Sequence, residues 1–296
     1  MNNYYNKIKK IIANRLRLYS ILIVSLLLIS QLLGLYFFPL ELITHFTLHG
    51  TLLVLLGGFT FKSKFRYLLW ILCLTIIGLS FYPYFQSTNT EYIQSVLSYN
   101  IKFENNHKTH ELDFILQTNA DVLALVEIGG SEWKTQLNEL QQKYPYNCSH
   151  NIDSPFAMIV LSKNKMISCE VNFVDIYPFI RAVFPKRTIF LLHPPPPVNK
   201  ELANDRLQYF KTVATIIANE NNDLLVVGDL NNTPYSPIYR KFIQQARIKD
   251  SLKYQTTTWK PAILPIDRVL YRCEHQVLSK PLSWQYSDHK PILTYW

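Results

Sequence analysis

An acidic residue and a carboxamide follow a strongly apolar stretch in LLVVGDLNN. Asp229 and Asn231 come directly after residues 224–228, whose composition predicts a buried strand. If the strand geometry continues, side chains two residues apart face the same side of the chain. The stretch therefore predicts a carboxylate and an amide presented together at the edge of a sheet.

Other polar side chains also end or closely follow apolar stretches, and a sheet would present them at the same edge. They are Asn100, Glu127, His193, Asp267, Asp288 and His289. Carboxylates combined with carboxamides and histidines suit a hard divalent cation better than zinc. Mg²⁺ takes few protein oxygens and shares its octahedron with water and substrate phosphate. The set therefore predicts phosphate chemistry with Mg²⁺, or with Mn²⁺ as the alternative ion.

The elements that would carry these residues alternate along the second part of the chain. Expected strands are IQSVLSYNI, DVLALVEI, FAMIVLSK, RTIFLLHP, DLLVVGDL, PIDRVLY and KPILTYW. Amphipathic helices are expected between them, for example in NKELANDRLQYFKTVATIIANE. This alternation predicts one layered domain of α-helices and β-strands over residues 94–296.

The first part of the chain has a different composition. Three uncharged runs, 18–38, 42–61 and 67–85, are each long enough to cross about 30 Å of hydrocarbon as a helix. They predict a membrane anchor over residues 1–86, followed by a linker at 87–93. The second run contains His45, His49, Gly57 and Gly58, and its alternative is an interfacial or re-entrant segment.

The flanking charges predict the orientation of this anchor. Basic residues precede the first run and lie between the second and third runs, but none lies between the first and second or from Tyr67 to Lys102. The pattern predicts a cytoplasmic N-terminus, three crossings and a C-terminal domain outside the cytoplasm, in an integral membrane protein. If the second run does not cross, the domain would be cytoplasmic.

The net charge of +9 comes mostly from the anchor. Of 30 basic and 21 acidic residues, eight and one lie in residues 1–86, which leaves 22 and 20 for the rest. The second part of the chain therefore has no overall charge that would attract a polyanion. Its three cysteines, Cys148, Cys169 and Cys273, allow one disulfide in an oxidising compartment and show no metal-type spacing.

The polar blocks, taken in chain order, resemble a known family. SYN, VE, the His that ends a strand, GDLN, IDRVLY and SDHKPI resemble the endonuclease/exonuclease/phosphatase (DNase I-like) superfamily over roughly residues 94–296. HPPPPVNKELANDR and GDLNNTPYSPIYRKF, after hydrophobic spans, resemble a membrane-attached bacterial branch of it. The resemblance implies an α+β fold, a four-layered αββα sandwich, and metal-dependent hydrolysis of a phosphate ester.

The resemblance also implies a role for each block. Glu127 would be the main metal ligand, with Asn100 and Asp288 near the metal. Asp229 would orient or deprotonate the attacking water, and Asn231 would hold that water or a phosphate oxygen. The remaining roles concern charge: Asp267 would orient and charge His289, and His289 with His193 would stabilise the negative charge on the pentacovalent phosphorus.

Some positions depart from the family pattern. Phe156 and Ala157 stand near a position where many relatives have glycine, and Lys163 replaces a usual arginine. The phosphate-gripping tyrosine and arginine of the nucleases have only Tyr177 and Arg181 as candidates. Six other histidines, including His107 and His110, match no block.

Three functions remain open from the sequence. The favoured one is a membrane-anchored phosphoesterase that acts on a lipid headgroup or a small phosphate ester. The second is a nuclease of the same mechanism, which would normally require several Lys or Arg contacts to phosphate. The third is an inactive scaffold, ranked last because no acidic residue or histidine of the blocks is lost. The sequence indicates no protein partner.

Overall fold

The chain forms two compact units in the computed structural model, which describes residues 2–61, 64–81, 94–185, 187–275 and 277–296. The first unit contains Met1–Pro83 and Pro234–Arg240, and the second contains Tyr84–Thr233 and Lys241–Trp296. The predicted linker, 87–93, lies outside the described residues.

The first unit is helical. Its helices are α1 (Asn2–Leu33), α2 (Phe38–Thr44), α3 (Thr47–Gly58) and α4 (Phe65–Phe81). Within the described residues, Tyr4–Leu33 is the one straight helix long and apolar enough to cross a membrane, and Phe65–Ser80 is apolar but shorter. The predicted second crossing is a pair of helices, α2 and α3, bent by 66°. Three transmembrane helices are therefore not confirmed.

The bend in the second run coincides with buried polar side chains. Glu41 is 1% exposed, and its carboxylate lies 3.1 Å from Nε2 of His45 at the C-cap of α2. Ser236, in the Pro234–Arg240 segment of the same unit, donates to Glu41 Oε1 at 2.9 Å. A buried acid must have partners, and the pairing of Glu41 favours its burial inside the unit. Gly57 permits α3 to approach α1, because a Cβ there would lie 2.0 Å from Ser20 Oγ.

The second unit contains two six-stranded sheets. The first sheet has the strand order β11-β12-β1-β2-β4-β3 and the second has β5-β6-β7-β8-β10-β9. The strands are β1 (Ser95–Asn100), β2 (Val122–Val126), β3 (Tyr146–His150), β4 (Met158–Ser162), β5 (Ser168–Val174), β6 (Tyr177–Phe184), β7 (Arg187–Leu192), β8 (Asp223–Asp229), β9 (Lys249–Asp250), β10 (Asp267–Arg272), β11 (Leu278–Pro281) and β12 (Ile292–Tyr295). The helices are α5 (Lys108–Thr118), α6 (Lys134–Lys143) and α7 (Lys200–Ala218), and a short 3-10 helix covers Ser131–Trp133. A further helix, α8 (Pro237–Ala246), is divided between the units after Arg240.

The apolar residues divide this unit into layers. One core lies between the two sheets and contains Val96, Val126, Ile180, Leu225 and Val269. A second core lies between the first sheet and α5 and α6. The second sheet contacts α7 on its outer face, where Phe179 meets Tyr209. The layers therefore follow the order expected for an αββα sandwich, with strands buried on both faces.

A disulfide joins the two sheets at their edges. Cys148 of β3 is bonded to Cys169 of β5, 21 residues apart, and Cys273 is a free cysteine. The sequence allowed one disulfide without indicating which cysteines form it. The bond closes the chain between one edge strand of each sheet, where no backbone pairing connects the sheets.

Candidate active site

The predicted site residues lie at the ends of strands in both sheets. Asn100 ends β1 and Asp229 ends β8, whereas Asp267 begins β10. Glu127 follows β2 and His193 follows β7. Because β8 and β10 are antiparallel neighbours, Asp229 and Asp267 form a directly opposed pair in the register. The fold therefore brings together residues that are up to 167 positions apart in sequence.

Gly228 allows two of these strand ends to approach each other. Its φ is +134°, and a Cβ at this position would lie 2.1 Å from the carbonyl oxygen of Leu192. Leu192 ends β7 immediately before His193. Glycine is therefore required where Asp229 and His193 are brought side by side.

Asp229 lies at the centre of the cluster. Its Oδ2 accepts a hydrogen bond from Asn100 Nδ2 at 3.1 Å. The same oxygen lies 3.8 Å from Nε2 of His193 and 3.8 Å from Nε2 of His289. Its Oδ1 accepts the backbone N–H of Asn231 at 2.8 Å. One carboxylate oxygen is thus held by the backbone while the other faces the polar cluster.

Glu127 and Asn100 contribute the next part of the cluster. Asn100 Nδ2 donates to Glu127 Oε1 at 2.7 Å, and the backbone N–H of Phe103 donates to Glu127 Oε2 at 2.9 Å. Glu127 has a φ of +60°, a conformation that is costly for a residue other than glycine and is often found at functional sites. Asn100 Oδ1 accepts the Lys102 N–H at 2.9 Å. Asn100 therefore links the two carboxylates through its amide nitrogen.

Asp267 and His289 form a buried pair. His289 Nδ1 lies 2.9 Å from Asp267 Oδ2 and 3.0 Å from Oδ1, and both residues are at most 5% exposed. Burial opposes a charge on His289, but the carboxylates of Asp267, Asp229 and Glu127 outweigh it and raise the pKa of His289 to about 10. Burial raises the pKa of Asp267, and charged His289 opposes that shift. The imidazolium therefore has its Nδ1–H bound by Asp267 and its Nε2–H directed towards the cluster.

Asn231 does not continue the geometry of β8, so the condition under which its side chain would face the same side as that of Asp229 is not met. Its φ is +46°, a left-handed conformation that Asn tolerates better than most residues. Its side-chain Nδ2 donates to the carbonyl of Pro194 at 3.0 Å. Asn231 is next to Asp229 through its backbone, and its side chain contacts the loop that follows His193.

Asp288 and His193 are placed less tightly. Trp259 Nε1 donates to Asp288 Oδ2 at 3.4 Å. His193 Nε2 lies 3.7 Å from Glu127 Oε1, whereas its buried Nδ1 has no hydrogen-bond partner within the described part of the chain. Asp288 is half-buried and stands outside the groups whose ligand atoms are mutually close.

The two candidates for gripping phosphate are engaged elsewhere. Arg181 forms an ion pair with Glu220 at 2.7 Å. Tyr177 donates its hydroxyl hydrogen to Asp205 at 3.1 Å, although its ring packs against Phe156, which in turn packs against His193. Tyr177 thus borders the site, and Arg181 is held by an acid at the end of α7.

A buried arginine in α7 was not predicted from the sequence. Arg206 is 0% exposed, and its guanidinium donates to the carbonyl oxygen of Asn231. It lies on the buried face of α7 together with Ala203, Tyr209 and Val213. In the helical repeat of this segment, Arg206 occupies a position on the face that is otherwise apolar, and this was the signal available in the sequence.

The cluster fits a divalent cation by the chemistry of its donors. Ligand atoms of Glu127, His193 and Asp229 lie within 4.8 Å of one another, as do those of Asp229, Asp267 and His289. Three of these residues supply carboxylate oxygens, the ligands that Mg²⁺ and Mn²⁺ prefer. The predicted ligand set of Glu127, Asn100 and Asp288 stays a prediction. As oriented, Asn100 presents its nitrogen, and not its oxygen, to the carboxylates.

Comparison with known proteins identifies the family. A family model described as the Endonuclease/Exonuclease/phosphatase family matches residues 97–289. The chain belongs to this family. A search of curated proteins finds no match. The matched region begins within β1 and ends at His289, and so includes every predicted site residue.

Solved structures share the fold of the second unit. Sphingomyelinase C from Streptomyces griseocarneus has a TM-score of 0.55 at 17% identity, over 70% of this chain and 99% of that chain. Truncated Caenorhabditis elegans TDP2 has a TM-score of 0.53 at 18% identity, over 68% and 96%. A Staphylococcus aureus beta toxin mutant with bound magnesium ions has a TM-score of 0.55 at 16% identity, over 68% and 99%. At these identities the similarity concerns the fold, and the DNase I-like prediction is confirmed.

Proposed function

We propose that the protein is a membrane-anchored, divalent-metal-dependent phosphoesterase that hydrolyses a phosphate ester of a lipid headgroup or a small molecule. The observation that carries this proposal is the set of contacts at Asp229 Oδ2. One carboxylate oxygen meets Asn100, His193 and His289 within 3.8 Å. Such a group suits the positioning of a water molecule and the neutralisation of a phosphoryl group.

The metal would be held mainly by Glu127, with Asn100 and Asp288 as further candidate ligands. When bound, Mg²⁺ or Mn²⁺ would polarise a phosphoryl oxygen and neutralise part of its charge. The beta toxin mutant with bound magnesium ions has the same fold, which supports the choice of ion.

Asp229 would orient the attacking water and accept its proton. The Asn231 N–H donates to Oδ1 of Asp229 and so prevents the carboxylate from rotating. Oδ2 is therefore held in one position, where it is available to the water. His289, charged through its contact with Asp267, would donate its Nε2–H to a phosphoryl oxygen whose charge increases during attack. His193 would stabilise the same charge from the β7 side. Positioning and electrostatic stabilisation account for most of the catalysis of phosphoryl transfer.

The charge of the domain supports a lipid or a small ester over nucleic acid. Residues 87–296 contain 22 basic and 20 acidic residues, whereas duplex binding normally uses several Lys or Arg contacts to phosphate. Arg181, one candidate for such a contact, is paired with Glu220. Among the proteins with the same fold, a sphingomyelinase C favours the lipid substrate.

One observation supports a location of the domain outside the cytoplasm. Helix Tyr4–Leu33 is long and apolar enough to anchor the chain on either side of a membrane, and the compartment is indicated by the disulfide. The Cys148–Cys169 disulfide is of a kind that persists in oxidising compartments. An alkaline phosphatase fusion after Glu91 should be active, and a fluorescent fusion that matures only in the cytoplasm should be dark; the reverse result would refute this orientation.

The activity is tested with the full chain purified in detergent. It is assayed with Mg²⁺ or Mn²⁺ against phospholipids, soluble phosphomonoesters and phosphodiesters, and plasmid DNA. We expect hydrolysis of a lipid or small ester that a chelator abolishes and added metal restores. Asp229→Asn and His289→Ala should remove it. Hydrolysis of DNA alone would favour a nuclease, and no hydrolysis by a folded protein that also binds no metal would favour the scaffold.

A further inference from the structure

The loop that carries Asp288 and His289 is held by a buried acid on α5. Glu111 is 0% exposed, and its carboxylate accepts hydrogen bonds from the Tyr99 hydroxyl at 2.9 Å and from Asn105 Nδ2 at 3.2 Å. The backbone N–H groups of Tyr286 and Ser287 lie close enough to the same carboxylate to lower its pKa, against the larger effect of burial, which raises it. Two side-chain hydrogen bonds and two backbone N–H groups of the loop therefore converge on one carboxylate.

Ser287 connects this carboxylate to the site. Its hydroxyl donates to the backbone carbonyl of Asn100 at 2.8 Å and accepts the backbone N–H of His289 at 3.0 Å. The loop is thus tied to the last residue of β1 and to the catalytic candidate His289. A shift of Ser287 would change the positions of both residues.

The outer face of the loop is held by the same turn of α5. The ring of Tyr286 stacks on His107 at a centroid distance of 4.5 Å and on His110 at 5.1 Å. His107 is the N-cap of α5, and Glu111 lies in its first turn. The first turn of α5 therefore contacts the ring of Tyr286 through its histidines and the backbone of residues 286 and 287 through Glu111.

The two halves of the loop between β11 and β12 are held differently. Residues 288–290 pair through their backbone with residues 258–260, where Lys290 N–H donates to the Thr258 carbonyl at 2.8 Å and Lys260 N–H donates to the Asp288 carbonyl at 2.9 Å, whereas residues 286 and 287 are held from the side of α5. Each residue ordered without regular structure costs about 1–2 kcal/mol of backbone entropy. A buried carboxylate is itself costly unless it is hydrogen-bonded, so an apolar side chain would fill this place more cheaply if packing were its only role.

We propose that Glu111 is a positioning residue of the active site, which acts through Ser287 to hold His289 and Asn100 in their catalytic arrangement. This proposal rests on the proposed phosphoesterase function for its kinetic test. Glu111 does not touch the reacting atoms. An amide at this position keeps the size of the side chain but has no charge and only one accepting oxygen, so it cannot hold the two side-chain donors and the two N–H groups of the loop together.

The kinetic test compares Glu111→Gln with Asp121→Asn in the full chain. Asp121 is a matched control, because it accepts the N–H and the hydroxyl of Ser95 at 2.8 and 2.7 Å at the opposite end of β1. We expect Glu111→Gln to lower kcat by at least about 10-fold, the equivalent of one charge-assisted hydrogen bond, with KM nearly unchanged. Asp121→Asn should leave both unchanged.

A double-mutant cycle tests the route through Ser287. Ser287→Ala should lower kcat, and adding it to Glu111→Gln should lower kcat by no more than about 2-fold further, because the two residues act on the same loop. Independent, additive effects would overturn the proposed route. A loss of kcat that only follows the unfolded fraction would overturn the positioning role.

Hydrogen exchange provides a readout that does not need catalysis. Backbone amides of residues 286–289 are followed in each variant without substrate. We expect faster exchange there in Glu111→Gln and not in Asp121→Asn; equal exchange would overturn the proposal. If the wild-type protein hydrolyses nothing, the exchange result still decides the role of Glu111, and only the phosphoesterase proposal fails.

Discussion

The pair formed by Asp267 and His289 makes Asp267→Asn an informative perturbation. Asn keeps the size of the side chain, and its Oδ1 can still accept the Nδ1–H of His289. The substitution removes the negative charge that lies 2.9 Å from the imidazole in a buried position. The geometry of the pair is therefore preserved while its electrostatic contribution is lost.

The expected magnitude follows from the kind of bond that is weakened. A hydrogen bond to a charged group contributes about 1.5–3 kcal/mol. If this energy acts in the transition state, its loss lowers kcat by about 10- to 150-fold, since about 1.4 kcal/mol corresponds to a factor of ten. We expect KM to change little, because the pair lies behind the imidazole and not against the substrate.

The pH dependence gives a second signature with a definite sign. In the wild type, the pKa of His289 is raised to about 10, so the imidazolium persists as the pH rises through the neutral range. Without the Asp267 charge, burial is opposed only by Asp229 and Glu127, and the pKa of His289 falls. The kcat of Asp267→Asn should therefore decline with rising pH at values where the wild-type kcat is constant.

The assay is steady-state hydrolysis of the preferred substrate at saturating metal between about pH 6 and 9, on either side of the usual His pKa. Glu220→Gln serves as the control, because it removes a comparable carboxylate from a pair with Arg181 outside the site. If Asp267→Asn keeps kcat within about 3-fold, or gives the wild-type pH profile, the assigned role of the pair is wrong.

Two further predictions concern stability. Cys148→Ser should lower the midpoint of thermal unfolding by the equivalent of about 3 kcal/mol, and a reductant should lower the midpoint of the wild type to the same value. Cys273→Ser should have no such effect. Equal midpoints for Cys148→Ser and the oxidised wild type would contradict a structural disulfide. Arg181→Gln should leave KM unchanged and lower stability near neutral pH. Burial tends to raise the pKa of Glu220, but Arg181 holds it below its usual value. The stability contributed by this pair is therefore fully present above the unfolded pKa of about 4.3. It is lost as the pH falls through the lower pKa of the folded state. A rise in KM for Arg181→Gln would instead make Arg181 a substrate ligand.

The positions of the site residues were predictable because their signals are local. A polar residue at the end of an apolar run identifies a strand end, and six such blocks in order indicated the family. The opposition of Asp229 and Asp267 depends on β8 and β10 being neighbours, which no local pattern reveals. The left-handed conformations of Glu127 and Asn231 were also beyond local reasoning, since they depend on how the chain leaves each strand.

The prediction for the anchor was less complete, because hydropathy treats each residue alone. The second run has enough apolar residues for a crossing, but Glu41 and His45 pair inside the unit where α2 ends. Pairing depends on tertiary contacts and changes the cost of burying a charge. A hydropathy pattern therefore could not distinguish a straight helix from the bent pair.

Glu111 was missed for a related reason. A single acid in the first turn of a helix usually remains exposed and interacts with the helix dipole. Its carboxylate accepts hydrogen bonds from Tyr99 and Asn105 and lies near the backbone N–H groups of Tyr286 and Ser287, which are about 175 residues away in sequence. His107 and His110 matched no family block, and their contact is with the loop and not with the metal cluster.

The charge balance of the cluster supports the metal. In the described part of the chain, the ion pairs of Glu127 and Asp229 are with histidines, and no lysine or arginine neutralises either carboxylate. Backbone N–H groups of Phe103 and Asn231 hold one oxygen of each acid, which fixes their positions without removing their charge. Carboxylates held this close repel each other unless a cation or a proton intervenes. Protonated His289 supplies one positive charge, and a divalent ion held at Glu127 would supply the rest while leaving Asp229 ionised to act on water.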